Sequence, residues 1–251
     1  MTRIGIALAF VAASAAAQDT RKSGAEFMSE STRAMQRDDT QNPAMLWVAG
    51  GAAQWNAKAG KADKSCAACH GAAERGMRGV ASRYPAFDRA AGRVITLGER
   101  INLCRTANQQ APAFAPESEA LLGLEAHVAL QSRGMPVAPP ADPATRAAAA
   151  RGQALYRQRI GQLNLSCAQC HDDQSGRKLA GATIPQAHAN AYPIYRLEWQ
   201  GMGSLQRRLR NCMSGVRAEV PPLGAQELVD LEAWLALRAQ GMPLESPGVR
   251  P

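Results

Sequence analysis

Two short runs carry reactive side chains at a fixed spacing: Cys66-Ala-Ala-Cys69-His70 and Cys167-Ala-Gln-Cys170-His171. Two thiols three residues apart can add to the two vinyl groups on one porphyrin edge, while the histidine that follows swings its imidazole beneath the iron. The spacing therefore predicts covalent attachment of two c-type haems, through Cys66 and Cys69 and through Cys167 and Cys170, with His70 and His171 as axial ligands. Zinc knuckles or redox disulfides have no need of the terminal histidine in both copies.

Two of the six cysteines remain. Cys104 follows His70 by 34 residues and Cys212 follows His171 by 41. A haem domain supplies its second axial ligand, most often Met, between the attachment motif and the closing helix, so Cys104 and Cys212 are candidate thiolate ligands. Each has an arginine four residues earlier, Arg100 and Arg208. A nearby cation favours thiolate over thiol, and on a helical turn this spacing puts both side chains on one face. Two alternatives stand beside that reading. In an oxidising compartment Cys104 and Cys212 can pair with each other, and Met77, Met135, Met202, Met213 and Met242 are ligands by type. Met135 and Met242 each sit in a Gly-Met-Pro helix stop, which fits packing better. His127 takes the place of Trp234 on an apolar helix stripe and reads as a core or haem-edge residue. His188 lies in the Gly181–Pro193 loop, unique to the second half, and either lines a substrate approach or is merely exposed.

The elements that position these groups form a repeat. The motifs lie 101 residues apart, and Gly51 and Trp55 precede Cys66 by the same intervals, 15 and 11, as Gly152 and Tyr156 precede Cys167. Downstream, residues 119–136 align with 226–243 at an offset of 107, so the second copy has gained a loop. Leu121, Leu124 and Val128, like Leu228, Leu231 and Leu235, recur at helical spacing and end at Gly-Met-Pro. Asp142 as N-cap and Pro143 at the first position open an alanine-rich helix running through Tyr156 into Arg159. The proline-rich run 136–143 marks the boundary between halves. The chain is thus expected to be mainly α, with two tandem cytochrome c-like domains, 44–138 and 139–251, related by an internal repeat. A polar segment, 18–43, precedes them as an arm or a disordered start.

Arg3, the apolar run 4–13 and Ala15-Ala16-Ala17 read as a secretory signal peptide over 1–17, which implies the periplasm. That run is too short to span a bilayer, and no other stretch approaches about 20 apolar residues, so no membrane span is expected. With 29 basic and 21 acidic residues, the formal charge is +8. No basic stripe interleaved with aromatics, helix-turn-helix or zinc finger directs that charge to nucleic acid; the basic surface suits anions or acidic proteins.

The segments Ser166-Cys-Ala-Gln-Cys-His171, Tyr192-Pro-Ile-Tyr-Arg-Leu-Glu-Trp199 and Leu205-Gln-Arg-Arg-Leu-Arg-Asn-Cys-Met-Ser-Gly-Val-Arg-Ala-Glu219 resemble the dihaem A subunits of the SoxAX cytochromes of bacterial thiosulfate oxidation. The likeness covers essentially the whole mature chain, and the third segment is its most specific part. It implies that Cys104 and Cys212 are distal haem ligands, that Cys212 carries a persulfide, and that Arg208 helps bind thiosulfate. The activity it implies is that of an L-cysteine S-thiosulfotransferase: thiosulfate is joined to a cysteine thiol of the carrier SoxYZ, two electrons pass to haem, and the small monohaem cytochrome SoxX is the partner. Arg207, Arg210 and Arg217 make the field around Cys212 strongly positive. The first half lacks the substrate-binding loop, so its Cys66, Cys69, His70 and Cys104 are assigned to structure or electron storage. A non-catalytic dihaem electron carrier would instead keep Cys212 unmodified, and a dihaem peroxidase would need an open distal position and a nearby acid.

Overall fold

The computed structural model describes residues 19–251; the signal-peptide reading of 1–17 lies outside the described residues. An N-terminal helix, α1 (Glu30–Arg37), precedes the first half, which contains α2 (Met45–Asn56), α3 (Cys66–His70), α4 (Ala73–Gly76), β1 (Ala86–Asp88), β2 (Arg93–Ile95), α5 (Leu97–Cys104) and α6 (Glu119–Leu130). The second half contains α7 (Pro143–Arg157), α8 (Cys167–His171), β3 (Lys178–Leu179), β4 (Ala182–Thr183), β5 (Ile194–Arg196), β6 (Gly201–Gly203), α9 (Leu205–Gly215) and α10 (Gln226–Arg238), followed by β7 (Gly248–Arg250). Asp142 caps α7 by accepting the Thr145 N–H at 2.9 Å. The helix stops at Arg157, two residues short of the expected end, because Gln158 turns to an extended conformation.

Each half is framed by a crossing helix pair, α2 on α6 and α7 on α10. The crossings depend on the repeated glycines. A Cβ at Gly51 would stand 2.0 Å from the Gly123 carbonyl oxygen, and one at Gly152 would stand 1.9 Å from that of Asp230. Only a hydrogen at these positions lets the two backbones touch. One turn later on each helix an aromatic side chain pins the end of the attachment motif: Trp55 Nε1 donates to the Gly71 carbonyl at 3.0 Å, and the Tyr156 hydroxyl donates to Asp172 Oδ1 at 2.9 Å. Ser65 and Ser166 cap α3 and α8 from the other end.

The halves interlock by exchanging hairpins. The antiparallel pair β1–β2 leans on α7 and α10, burying Val94 with Ala148, Ala149, Val229 and Ala233. Its counterpart β5–β6 buries Tyr195 and Met202 against Ala44, Val48, Leu122 and Ala126 of the first half. A side chain such as Val94, fully withdrawn from water, contributes about 2 kcal/mol to this union. The two Gly-Met-Pro stops pair with each other, the Val137 N–H donating to Met242 O and the Leu244 N–H to Met135 O, both at 2.8 Å. Met242 is buried there among Val137, Ala239 and Leu244, so it packs the seam between the halves.

From Asp19 onward the N-terminal segment is folded onto the rest of the chain. It is an arm laid across the second half. Arg21 donates to the carbonyls of Arg238 and Gln240, Asn42 donates to Pro247 O at 3.1 Å, and Gln36 Oε1 accepts the Val249 N–H at 2.9 Å. β7, which this arm holds, adds in parallel to β5.

Candidate haem and anion sites

In the first half, a cavity of about 420 Å³ is lined by Cys66, Cys69, His70 and Cys104 together with the apolar side chains of Trp55, Val80, Leu97, Ile101 and Phe114. Burial pushes the Cys66 thiol above its ordinary value, and the adjacent Cys104 adds to the shift. Two thiols, an imidazole and a further sulfur around an apolar hollow fit a covalently bound macrocycle ligated from both faces. Met77 lines the same cavity. His127 is buried, with its ring 5.9 Å from that of Trp55, as a core residue.

In the second half, the corresponding cluster joins Cys167 and Ala168 to Tyr156, Leu205, Leu209, Leu231 and Trp234. Burial pushes the Cys167 thiol up to about 11, with Cys212 the next contributor. Cys212 therefore neighbours Cys167 as Cys104 neighbours Cys66. All six cysteines are unpaired, and the two distal cysteines are not joined across the halves. His171 Nδ1 lies 2.7 Å from Pro185 O. A carbonyl can only accept, so Nδ1 carries the proton and Nε2 is left with a free lone pair for a metal. The loop unique to this half thus orients the imidazole. Arg238 fastens it further, donating to Asp172 Oδ1 at 2.8 Å and to Gln186 O at 3.0 Å. His188 in the same loop donates from Nδ1 to Lys22 O at 2.8 Å and so fastens the arm. Met202 is buried in the hairpin interface, whereas Met213 packs in the cluster with Cys167.

The cysteine-bearing helices start and stop alike. Thr96 caps α5 and Ser204 caps α9. Their far ends are held by left-handed glycine turns: the Lys61 N–H donates to Gln110 O after Gly60, and the Gln162 N–H donates to Arg217 O after Gly161. A Cβ at Gly60 or Gly161 would stand 2.0 or 2.2 Å from a carbonyl oxygen of that facing segment. On α9, Arg208 and Cys212 share a face one turn apart.

The arginines around them differ in their partners. Among the described residues no carboxylate pairs with Arg208, whereas Arg100 Nη1 lies 2.9 Å from Asp88 Oδ2. Arg207 stacks over Trp199 at 4.1 Å and donates to Met202 O, and Arg210 Nε is buried without a partner. Arg196 pairs with Glu198 at 2.8 Å. Tyr192 lies near Arg208, Cys212 and Arg196, and burial pushes its hydroxyl up to about 12, so it stays a neutral donor. A soft sulfur beside unneutralised guanidinium can hold a sulfur-containing anion and exchange sulfur–sulfur bonds. The sequence reading assigned no site function to Pro185 or Tyr192. The repeated Tyr-Pro step at 84–85 and 192–193, cis in both copies, is the signal that aligns Tyr192 with the cavity residue Tyr84.

Residues 50–137 and 151–244 match the family model described as SoxA/TsdA, cytochrome c domain. The L-cysteine S-thiosulfotransferase subunit SoxA of Pseudaminobacter salicylatoxidans is 37% identical over 233 residues, covering 92% of this chain and 82% of its own. The same subunit of Rhodovulum sulfidophilum is 35% identical over 235 residues, covering 92% and 81%. The crystal structure of SoxXA from P. pantotrophus contains a chain that superposes with a TM-score of 0.89 at 34% identity, covering 93% of this chain and 88% of that one. With its repeat, its mainly helical halves and its two attachment motifs all matched in this way, the chain belongs to the SoxA/TsdA cytochrome c family.

Proposed function

We propose that this chain is the SoxA-type subunit of a periplasmic L-cysteine S-thiosulfotransferase, carrying two haem c groups and acting with a SoxX-type monohaem partner on thiosulfate and a SoxYZ-type carrier. The relatives named above carry the transferase activity in their names, and the solved structure carries the pairing with SoxX. The apolar run after Arg3 favours export. Cys66, Cys69, Cys167 and Cys170 would hold the haems by thioether bonds, and His70, His171, Cys104 and Cys212 would supply the ligands to iron. Bound haem supplies the acceptor for the two electrons.

Arg208 binds the sulfonate end of thiosulfate by charge-assisted hydrogen bonds and presents its outer sulfur to Cys212. Cys212, as a persulfide anion, forms a new sulfur–sulfur bond with that outer sulfur, and the pair of sulfurs loses two electrons. The carrier thiol then attacks the same outer sulfur and loses its proton to water. The bond to the Cys212 persulfide breaks, regenerating the persulfide anion and leaving the thiosulfate group as a disulfide on the carrier. The net change is one thiol and one thiosulfate converted to an S-sulfonated disulfide, with one proton and two electrons released. Tyr192, half-buried and neutral near Arg208 and Cys212, donates a hydrogen bond without competing for the proton.

The observation that carries the reading is the placement of Cys212 one helical turn from an arginine with no carboxylate partner among the described residues. Mass mapping of the non-reduced protein tests it on the tryptic peptide from Asn211 to Arg217. One extra sulfur atom on Cys212 is the expected result. A plain thiol there in active protein would leave an electron carrier.

A further inference from the structure

Resting on the thiosulfate reading above, we propose that Arg196 is the second cation of the substrate site, and that this position decides which half binds a dianion. The two halves build the same local scaffold. A cis Tyr-Pro step starts each hairpin, at Tyr84-Pro85 and at Tyr192-Pro193. Four residues after each tyrosine comes the last residue of the first strand, Asp88 in β1 and Arg196 in β5. The helix that follows carries the arginine and cysteine, Arg100 and Cys104 on α5, Arg208 and Cys212 on α9. Asp88, Arg100 and Cys104 thus correspond to Arg196, Arg208 and Cys212 at one constant offset of 108 residues.

In the first half the strand residue neutralises the helix residue: Asp88 Oδ2 and Arg100 Nη1 are 2.9 Å apart. In the second half the carboxylate is replaced by a guanidinium, so the same geometry sets two positive charges near Cys212. Burial and Arg208 hold Arg196 below the ordinary guanidinium value, while Glu198, Tyr192 and Cys212 act the other way. The Arg196 side chain is only 11% exposed, and its Nε is buried without a hydrogen-bond partner. Among the described residues its one ion pair is with Glu198, a residue 50% exposed at the rim and therefore screened. Trp199 splints it from the side, with the guanidinium 5.1 Å from the ring and Arg207 4.1 Å from the same ring. Gly203 leaves room for that ring, since a Cβ there would stand 2.4 Å from Trp199 Cζ3.

Two guanidiniums confined together repel, and a bound dianion relieves that repulsion while accepting a planar fork from each. Thiosulfate carries two negative charges, one more than Arg208 alone can balance. The first half, its arginine already paired, has no net positive charge to offer from these positions.

The test uses the haem-loaded complex with its monohaem partner and reads thiosulfate binding by calorimetry beside steady-state turnover of the carrier thiol. Arg196→Met is expected to weaken the thiosulfate Kd and raise KM by about tenfold or more, the scale of one lost charge-assisted hydrogen bond, with kcat held within a few-fold. Arg196→Lys should recover part of the loss. Arg196→Asp should abolish binding, because the new carboxylate would capture Arg208 as Asp88 captures Arg100. Glu198→Gln, which leaves both cations in place, should tighten binding. An unchanged haem absorption spectrum and denaturation midpoint separate these effects from misfolding. Unchanged Kd and KM in Arg196→Met, or a fall in kcat alone, would overturn the proposal. Failure of the wild-type complex to turn over thiosulfate would refute the proposed function instead, and the binding measurement would still decide the role of Arg196.

Discussion

Tyr156 and Trp55 do at one position what neither could do without a buried donor: each ties a framework helix to the residue just after its attachment motif. In the second half that tie is doubled, because Asp172 also accepts from Arg238. Tyr156→Phe keeps the ring and removes one donor. It is expected to cost about 1 kcal/mol of stability, the usual net worth of a hydrogen bond, as read from chemical denaturation of the haem-loaded protein. The smallness of the expected loss reflects Arg238, which still satisfies Asp172 and the loop carbonyl of Gln186. The aromatic residue was visible in the sequence as an interval repeated before both motifs, but the partner that gives it meaning was not.

At the scale of elements, the helix crossings are the points of least tolerance. The Cβ of Gly51→Ala or Gly152→Ala would meet a backbone carbonyl that has no rotamer in which to escape. Either substitution should force the helices apart at a cost of about 1–3 kcal/mol, the range for overpacking. Gly50 supplies the control. It lies on the same helix with nothing within 4 Å of its missing Cβ, so Gly50→Ala should stabilise by about 0.5–1 kcal/mol through helix propensity. Denaturation midpoints of the three variants check the contrast. If all three move together, the crossing is not what the glycines serve.

For the whole molecule, the seam between halves holds a pair of repeat-equivalent glutamates. Glu125 and Glu232 line a cavity of about 180 Å³ that also receives Glu99, Glu117 and Gln206. Burial pushes both carboxyls up to about 8, with Glu232 and then Glu117 adding to the shift of Glu125. The Gly98 N–H opposes the shift for Glu125, and Gln206 opposes it for Glu232. The folded protein therefore keeps protons that the unfolded chain releases near the ordinary glutamate value of 4.5. The resulting stability is fully present below that value and is lost as pH rises towards about 8. Denaturant midpoints should fall between pH 5 and pH 8, and the double variant Glu125→Gln with Glu232→Gln should flatten that slope. An unchanged slope in the variant would mean that the glutamates are already ionised in the folded state over this range.

Much of the site could be read from the sequence because its chemistry is local. Thioether attachment depends on two cysteines and a histidine within five residues, and an arginine one turn before a cysteine shares its helix face whatever the rest of the chain does. The closing helices, the α7 cap and the repeat were legible for the same reason, as periodicity and capping act within a few turns. What only the tertiary structure decided involves partners far apart in the chain. The hairpin of each half is buried on the helices of the other, Pro185 holds His171, the arm is pinned to the second half, and Glu125 meets Glu232 across the seam. The charge state of each arginine belongs here too: Arg100 is neutralised by a carboxylate on a neighbouring strand, while Arg208 faces another arginine there. Spacing along a chain fixes which groups can react, but net charge at a point depends on every group folded around it.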